Sequence, residues 1–509
     1  MKVRKESYDD MELKGIDQAR ELFWFAIDKG YPVTIKGDPD VDGMLAYCVA
    51  SQMLDEKGIK YHSTVNRDRK HGLVEDELNQ NGKPKGVDPY FHENELIINV
   101  DSSISGDELM FLAENGNIVI SLDHHKVELD GYDKLQRHFK KGEGECILIN
   151  NQFEDEPEEW RFWSGTGVVI HALSKILNVG IKTEWTVMHG ITLLSDVRDI
   201  ENDLAREILR VTYSTPLKNM RTLNRLVKKT QLEVPDLFRK EPEHLDRTFI
   251  DYSFSPYYNA CYQLNLSEYI FALLKRSLPY NYSAKTDRKA IVENLEKYVK
   301  VTELKNLTIL GIELDAVEPI QIEENYSFSY SNFLGLLANK YLSLGKTVAI
   351  LSRENGKFKR GSVRALSHHI DYNAIFSKYG FTCKGHTGAF GITDLNNPKF
   401  KAVSKEIGIV EVNEKAKPKF KTAKNLLAMQ EELLQIADDN QYVLSQNKLG
   451  IYYTGFHCSV KRETKGTMTY EVDGMSVRTF DKELTLENSL IIPTLECDNL
   501  ILTLEKLNN

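Results

Sequence analysis

Asn117-Ile118-Val119-Ile120-Ser121-Leu122-Asp123-His124-His125 is an apolar, β-prone run that ends in an acid and two imidazoles. Carboxylate and imidazole are costly to desolvate unless they are paired or bound to a metal. Such a strand end is therefore either a hydrogen-bonded polar loop or part of a site. Three more acidic ends occur in the same half of the chain. Tyr31-Pro32-Val33-Thr34-Ile35-Lys36-Gly37 runs into Asp38-Pro39-Asp40-Val41-Asp42-Gly43, followed by a helix-like segment over 44–54. Leu96-Ile97-Ile98-Asn99-Val100 ends in Asp101-Ser102-Ser103, and Gly190-Ile191-Thr192-Leu193-Leu194-Ser195 ends in Asp196 after a pattern that is helical from about Glu184.

Alternation in an extended turn places Asp38, Asp40 and Asp42 on one side of the backbone. A helix N-cap accounts for one such acid, but three close like charges call for a cation. Acidic strand ends that face one crevice suit an open α/β sheet, which binds ligands outside the carboxyl ends of its strands. Oxygen ligands with one or two imidazoles indicate Mg²⁺ or Mn²⁺, and the histidine favours Mn²⁺. Cys-x-x-Cys and His-Glu-x-x-His spacings, the marks of zinc sites, do not occur.

In their order along the chain, Asp38-Pro39-Asp40-Val41-Asp42-Gly43, Asp101, Asp123-His124-His125 and Asp196 resemble the motifs of the DHH phosphoesterases, and among these the RecJ-like single-strand exonucleases. Asn66-Arg67 with His71-Gly72-Leu73, Leu148-Ile149-Asn150-Asn151 and Ser164-Gly165-Thr166-Gly167-Val168 resemble further family segments. Lys359-Arg360-Gly361-Ser362-Val363-Arg364 and Gly385-His386-Thr387-Gly388 resemble the phosphate-gripping and Gly-Gly-His motifs of the DHH-associated domain. The matches span roughly residues 30–400.

The resemblance implies a two-metal phosphodiesterase holding Mn²⁺ or Mg²⁺. It makes Asp40, Asp42, Asp101, His124 and Asp196 metal ligands, with Asp101 as the bridge and Asp38 coordinating or supporting. His125 would meet the scissile phosphate and Asp123 would orient its neighbours. Arg67, Ser362, Arg364, Gly385 and His386 would hold substrate phosphates. Two departures bear on the substrate. The family's Ala-Pro-Arg-Leu-Asn and following Gly-Arg are replaced by Ser255-Pro256-Tyr257-Tyr258-Asn259 and Tyr262-Gln263, so both arginines are lost. A phenol cannot replace their charge on a terminal phosphate. Tyr252, Phe254, Tyr257, Tyr258 and Tyr262 either stack bases or pack in a helical lobe. Lys384 replaces the first glycine of Gly-Gly-His.

A chain of 509 residues is expected to divide into several units. Alternating apolar runs and helical patterns over 1–205 predict a parallel-sheet DHH catalytic domain. A helical connector over 206–300 follows, with a long helix over 203–229 and clear helical patterns at 267–277 and 288–301. A smaller α/β DHH-associated domain is expected over 301–405, with a helix at 332–344 and strands at 307–311 and 347–352. A basic linker over 406–425 and a β-rich C-terminal domain over 426–509 complete the chain. The C-terminal domain is a candidate nucleic-acid binder, the counterpart of an oligonucleotide-binding barrel. Lys415, Lys417, Lys419, Lys421 and Lys424 form a strip read as solvated linker or as a track for a single strand.

The six cysteines are scattered without paired spacing, so no disulfide framework is expected. Neither an apolar leader nor a membrane-length run appears, which predicts a soluble, cytoplasmic, monomeric enzyme. The net charge of −10 argues against coating of duplex DNA, while leaving room for a local basic groove. The function expected is a 5′-to-3′ exonuclease on single-stranded nucleic acid, with DNA favoured. A phosphodiesterase for short RNAs or cyclic dinucleotides is the first alternative, although that branch begins its motif with His where this chain has Lys36. The second is a non-catalytic scaffold, which would have eroded ligands; here every ligand position is filled.

Overall fold

The computed structural model describes residues 12–65, 93–125, 137–196, 198, 200, 202–232, 243–266, 270, 274, 284–320, 322, 328–342, 345–366, 370–385, 387–413, 420–440, 449–453, 458–464, 467–479, 484, 489–496 and 499–506. The first apolar runs become β1 (Val33–Gly37), β2 (His62–Val65), β3 (Leu96–Val100), β4 (Ile118–Asp123), β5 (His138–Lys141) and β6 (Gly144–Asn150). They form one sheet in the order β2-β1-β3-β4-β6-β5, parallel except for the edge strand β5.

Parallel strands covered on both faces need apolar side chains at nearly every position, and these runs supply them. Ile35, Ile98, Ile120 and Ile147 join the core with α1 (Ile16–Asp28), α2 (Val41–Glu56), α4 (Gly165–Leu177) and α5 (Thr183–Ser195). Ile97, Val119 and Cys146 turn the other way, onto Leu109 and Leu112 of α3 (Gly106–Glu114). The backbone ladder continues past the strand ends. Asp38 N–H donates to the Val100 carbonyl at 3.3 Å, and Asp101 N–H to the Leu122 carbonyl at 2.9 Å. This stitching sets the acidic ends side by side.

The connector corrects the expectation of one long helix over 203–229. It is two helices, α6 (Asp203–Ser214) and α7 (Arg221–Leu232), parted at Thr215-Pro216. Thr215 is extended, with φ −87° and ψ 120°, as steric conflict with the following proline ring requires. Helix α8 (Ser255–Gln263) follows a π-helical turn, and α9 (Ala284–Glu296) stops short of the expected 301 because β7 (Lys300–Glu303) begins there. Most of 267–277 lies outside the described residues. Phe254, Tyr257 and Tyr258 are fully buried and Tyr262 nearly so, which makes them core residues rather than a stacking surface; Tyr252 is exposed.

The second sheet holds β7, β8 (Leu307–Glu313), β9 (Thr347–Glu354), β10 (Lys357–Arg364), β11 (Phe381–Gly385) and β12 (Ala389–Leu395), ordered β11-β12-β10-β9-β8-β7. Leu310, Ile312, Val348 and Ile350 on one face belong to the same buried cluster as Ile35, together with Leu334 and Leu337 of α10 (Leu334–Leu342). Leu307, Ala349 and Val363 on the other face pack with α11 (Tyr372–Lys378) and α12 (Phe400–Asn413) in a separate cluster.

The segment 406–425, expected to be a linker, is structured at both ends. Helix α12 runs on to Asn413, and β13 (Phe420–Ala423) opens a third sheet. Lys421 of the basic strip is paired with Glu432 in α13 (Gln430–Asn440), while Lys415, Lys417 and Lys419 lie outside the described residues. The third sheet adds β14 (Gly450–Tyr453), β15 (Cys458–Thr464), β16 (Thr467–Val472), β17 (Met475–Thr479), β18 (Ser489–Glu496) and β19 (Asn499–Lys506). It confirms the β-rich C-terminal region. Its pairing runs β13-β14-β18-β19-β17-β16-β15, an open order among the described residues, around a core of its own that includes Leu433, Ile451, Val472 and Ile491. No described helix is long and apolar enough to cross a membrane. Cys48, Cys146, Cys261 and Cys383 are free thiols.

Candidate metal centre

The carboxyl ends of β1, β3 and β4 and the end of α5 meet in one crevice. Asp40 caps α2, accepting from Gly43 N–H at 3.0 Å. Two residues on, Asp42 is held from across the fold: Gly165 N–H donates to its Oδ2 at 2.7 Å and Thr166 N–H to its Oδ1 at 2.9 Å. These amides are orphan donors at the positive end of α4, so a helix terminus grips a carboxylate of the site. Asp101 sits at the end of β3 with φ 56°, a left-handed conformation that an aspartate tolerates better than most residues. Asn99 shapes that turn, its Nδ2 donating to the Ser102 carbonyl at 2.7 Å and to Ser121 Oγ at 2.8 Å.

His124 stands at the centre. Its Nε2 is 3.1 Å from Asp101 Oδ1, 3.6 Å from Asp42 Oδ2 and 3.7 Å from Asp196 Oδ2. Ligand atoms of Asp42, His124 and Asp196 lie within 4.8 Å of one another, and so do those of Asp101, His124 and His125. Asp38 and Asp40 flank these groups and repel them electrostatically. Asp123 stands apart in role. Its Oδ1 accepts from the backbone N–H of His124 at 2.8 Å and meets His125 Nδ1 at 2.7 Å. Asn150 at the end of β6 completes the frame by donating to the His125 carbonyl at 2.9 Å.

The electrostatics are those of a site built for cations. Burial, then Asp38 and Asp42, push the Asp40 carboxyl up to about 7. Burial and Asp196 push Asp42 up to about 6 despite its three hydrogen bonds, and burial with Asp42, Asp40 and Asp38 raises Asp101 well above the carboxylate range. Burial also holds His124 far below its usual value, so it is a neutral imidazole ready to ligate. Burial opposes charge on both members of the Asp123–His125 pair, but their mutual attraction prevails: Asp123 is held low and His125 is raised. With Nδ1 paired to Asp123, the His125 ring is held in orientation, an arrangement compatible with either a metal or a phosphate at its other nitrogen.

Divalent cations fit these residues. Asp101 Oδ1 is buried without a hydrogen bond. Asp196 occupies the C-cap of α5, the negative end of the helix dipole, where a carboxylate is unfavourable without a cation. Two glycines make room for the acids. A Cβ at Gly43 would lie 2.4 Å from the Asp38 carbonyl oxygen, and one at Gly165 would lie 2.2 Å from Asp101 Oδ1. The Gly43→Ala variant is therefore expected to fold but to displace the Asp38–Asp42 turn. Turnover should drop by roughly 10²-fold, the cost of a misplacement of about 1 Å. Calorimetric titration of Mn²⁺ should show weakened binding alongside near-normal circular dichroism.

The second sheet carries the candidate phosphate contacts. Ser362 and Arg364 lie on β10, with Arg364 Nη1 donating to Ser362 Oγ at 2.9 Å and to the Val363 carbonyl at 2.8 Å. The guanidinium packs across Gly335, where a Cβ would come within 2.4 Å of Nη2. Gly385 ends β11 with φ 126°, a conformation suited to glycine. Arg67 and His386 lie outside the described residues. Arg198 was missed at the sequence level. It lies two residues beyond Asp196, and its Nη1 approaches Asp196 Oδ2 at 3.9 Å. An arginine next to a candidate ligand is the only signal the sequence offers for it.

The DHH family, N-terminal domain, matches residues 32–184, which include all the acids of the crevice but Asp196. No curated protein matches the chain. Among solved structures, RecJ from Thermus thermophilus in complex with Mn²⁺ is 16% identical with a TM-score of 0.60, the match covering 98% of this chain and 72% of that one. The same protein in complex with Mg²⁺ is 14% identical with a TM-score of 0.55, covering 98% and 70%. An exonuclease RecJ bound to manganese is 18% identical with a TM-score of 0.51, covering 80% and 98%. At these identities the likeness is one of fold.

Proposed function

We propose, from a chain that carries a DHH-family domain on a RecJ-like fold, that it is a metal-dependent phosphodiesterase. In our reading it removes nucleotides from the 5′ end of single-stranded nucleic acid, with DNA favoured. One observation carries the hydrolytic reading: Asp42, Asp101 and Asp196 converge on the buried, neutral His124, a constellation of oxygen and imidazole donors that suits Mn²⁺ or Mg²⁺. A scaffold has no need to retain it. Asp42, Asp101, His124 and Asp196 would hold two ions with help from Asp38 and Asp40. When bound, the ions supply a hydroxide nucleophile at neutral pH and relieve charge on the phosphate.

The chain's own residues do the rest. The first-turn amides of α4 fix Asp42, and the turn of β3 aims Asp101. Asp123 keeps His125 protonated and oriented, so its Nε2 can donate to a phosphate oxygen or to the departing 3′ oxygen. Ser362 and Arg364, with Gly385 and His386, are our candidates for gripping phosphates upstream of the cut, and Arg67 for the strand end. Tyr257 and Gln263, which stand at the two family arginine positions, are both buried, so they do not supply a phosphate grip there. The fully buried Lys36 also separates this chain from the short-RNA branch, which has His at that place.

Oligomers of DNA and RNA labelled at either end, incubated with Mn²⁺ and with Mg²⁺, test the proposal. Stepwise loss from the 5′ end of single-stranded DNA, faster with Mn²⁺, is expected. Cleavage restricted to RNA of a few nucleotides would shift the reading to the short-substrate branch, and no cleavage of any phosphodiester would favour the scaffold.

A further inference from the structure

Arg198 is fixed more firmly than a surface arginine. Its Nε donates to the Phe162 carbonyl at 3.0 Å, its Nη2 to the Arg161 carbonyl, and its backbone N–H to the Leu193 carbonyl at 2.9 Å. Those bonds leave Nη1 facing Asp196 Oδ2, and the two side chains are only 13% and 17% exposed. The contact is 3.9 Å, beyond hydrogen-bond length, so the guanidinium acts on this carboxylate by charge and not by aiming it. The same oxygen, Asp196 Oδ2, is 3.7 Å from His124 Nε2 at the heart of the centre. One oxygen thus faces both a permanent cation and the place where a metal ligand is needed.

We propose that Arg198 competes through its charge with divalent metal for Asp196 Oδ2 and so sets the affinity of the centre below what its acids alone would give. The inference rests on the metal-binding reading of this crevice. The acids at 38, 40, 42, 101 and 196 all favour a bound cation, while Asp123 is already paired with His125. A fixed guanidinium with little access to water is screened weakly by salt, so its effect persists at physiological ionic strength. It also leaves positive charge at the rim of the centre, where an anionic phosphate must arrive.

Two variants separate charge from scaffolding. Arg198→Gln keeps a donor for the backbone carbonyls and removes the charge; Arg198→Lys keeps the charge and loses the planar fork. Mn²⁺ is titrated into the metal-stripped full chain at pH 8 by calorimetry, in the absence of any nucleic acid. We expect Gln to tighten Mn²⁺ binding about tenfold, the scale set by one charge at this distance under partial screening. Lys should leave it within about threefold of wild type. A structural strut would instead give weaker binding in both variants, and that result overturns the role of Arg198, as does unchanged binding in the Gln variant. Wild-type protein that takes up no Mn²⁺ overturns the metal reading itself, a failure distinguishable from the other two.

Discussion

Replacing Asp101 with asparagine is expected to lower turnover by roughly 10³-fold, about 4 kcal/mol of barrier, while the fold survives. Asparagine keeps the volume and tolerates the positive φ of 56°, which alanine would adopt only with strain. It cannot bridge two cations as a carboxylate does, and its amide turns either a donor or one neutral oxygen towards His124. The same change removes a buried charge that Asp42, Asp40 and Asp38 repel. The metal-free variant should therefore melt several degrees above metal-free wild type at pH 8. Differential scanning calorimetry together with a single-turnover assay checks both halves. A variant that is dead and also less stable would mean that Asp101 holds the fold and not the ions.

The second large effect is the dependence of stability on pH and metal. The carboxyls of Asp40 and Asp42 stand at about 7 and about 6, and Asp101 is raised as well, against unfolded values near 4. The metal-free native state thus binds more protons than the unfolded chain between about pH 4 and 7. These groups contribute stability below that window and lose it as pH rises through the folded values. A bound cation reverses the trend, because it stabilises the ionised acids. The rise in melting temperature caused by saturating Mn²⁺ should be small at pH 5 and largest near pH 8. Each ion bound at pH 6 should release protons, seen as a dependence of the calorimetric enthalpy on buffer ionisation heat. A shift in melting temperature that is flat from pH 5 to 8 would show that the raised acids are not the ligands.

Much of this centre was legible in the chain. Asp38, Asp101 and Asp123 each terminate an apolar run, and a parallel sheet sends all such ends to one edge, so strand periodicity alone placed them together. Asp196 was readable as the last residue of a helical segment, but its position against the helix dipole emerges only in three dimensions. What stayed hidden depends on contacts distant in sequence. The hold of Gly165 and Thr166 on Asp42 spans more than a hundred residues, and the packing of Gly165 against Asp101 also joins separate stretches of chain. The aromatic residues of the connector had two open readings because side-chain type does not report burial, and the structure buries them. The break at Thr215-Pro216 was foreseeable from the proline, yet the helical pattern on both sides concealed it. The extent of α12 and β13 was masked by a run of lysines that reads as linker whether or not its flanks are ordered.

The second sheet is a layer shared by two cores: Leu310 and Ile350 face the first sheet's cluster, and Leu307 and Ala349 face their own. This arrangement limits how such a protein can be rearranged in evolution. The first two units are not exchangeable modules, because Leu310, Ile312, Val348 and Ile350, with Leu334 and Leu337 of α10, belong to one continuous buried cluster with the core of the first sheet, and separating the units would cut it. Changes on either side of β8 and β9 must stay compatible with one another, so the proposed metal ligands and the candidate phosphate contacts are carried on one connected core. The C-terminal sheet, with a separate core from Ala423 to Leu504, is under no such bond. It is the part of the chain that recombination can replace, lengthen or discard, and hence the part where relatives of common chemistry are free to differ in what they contact.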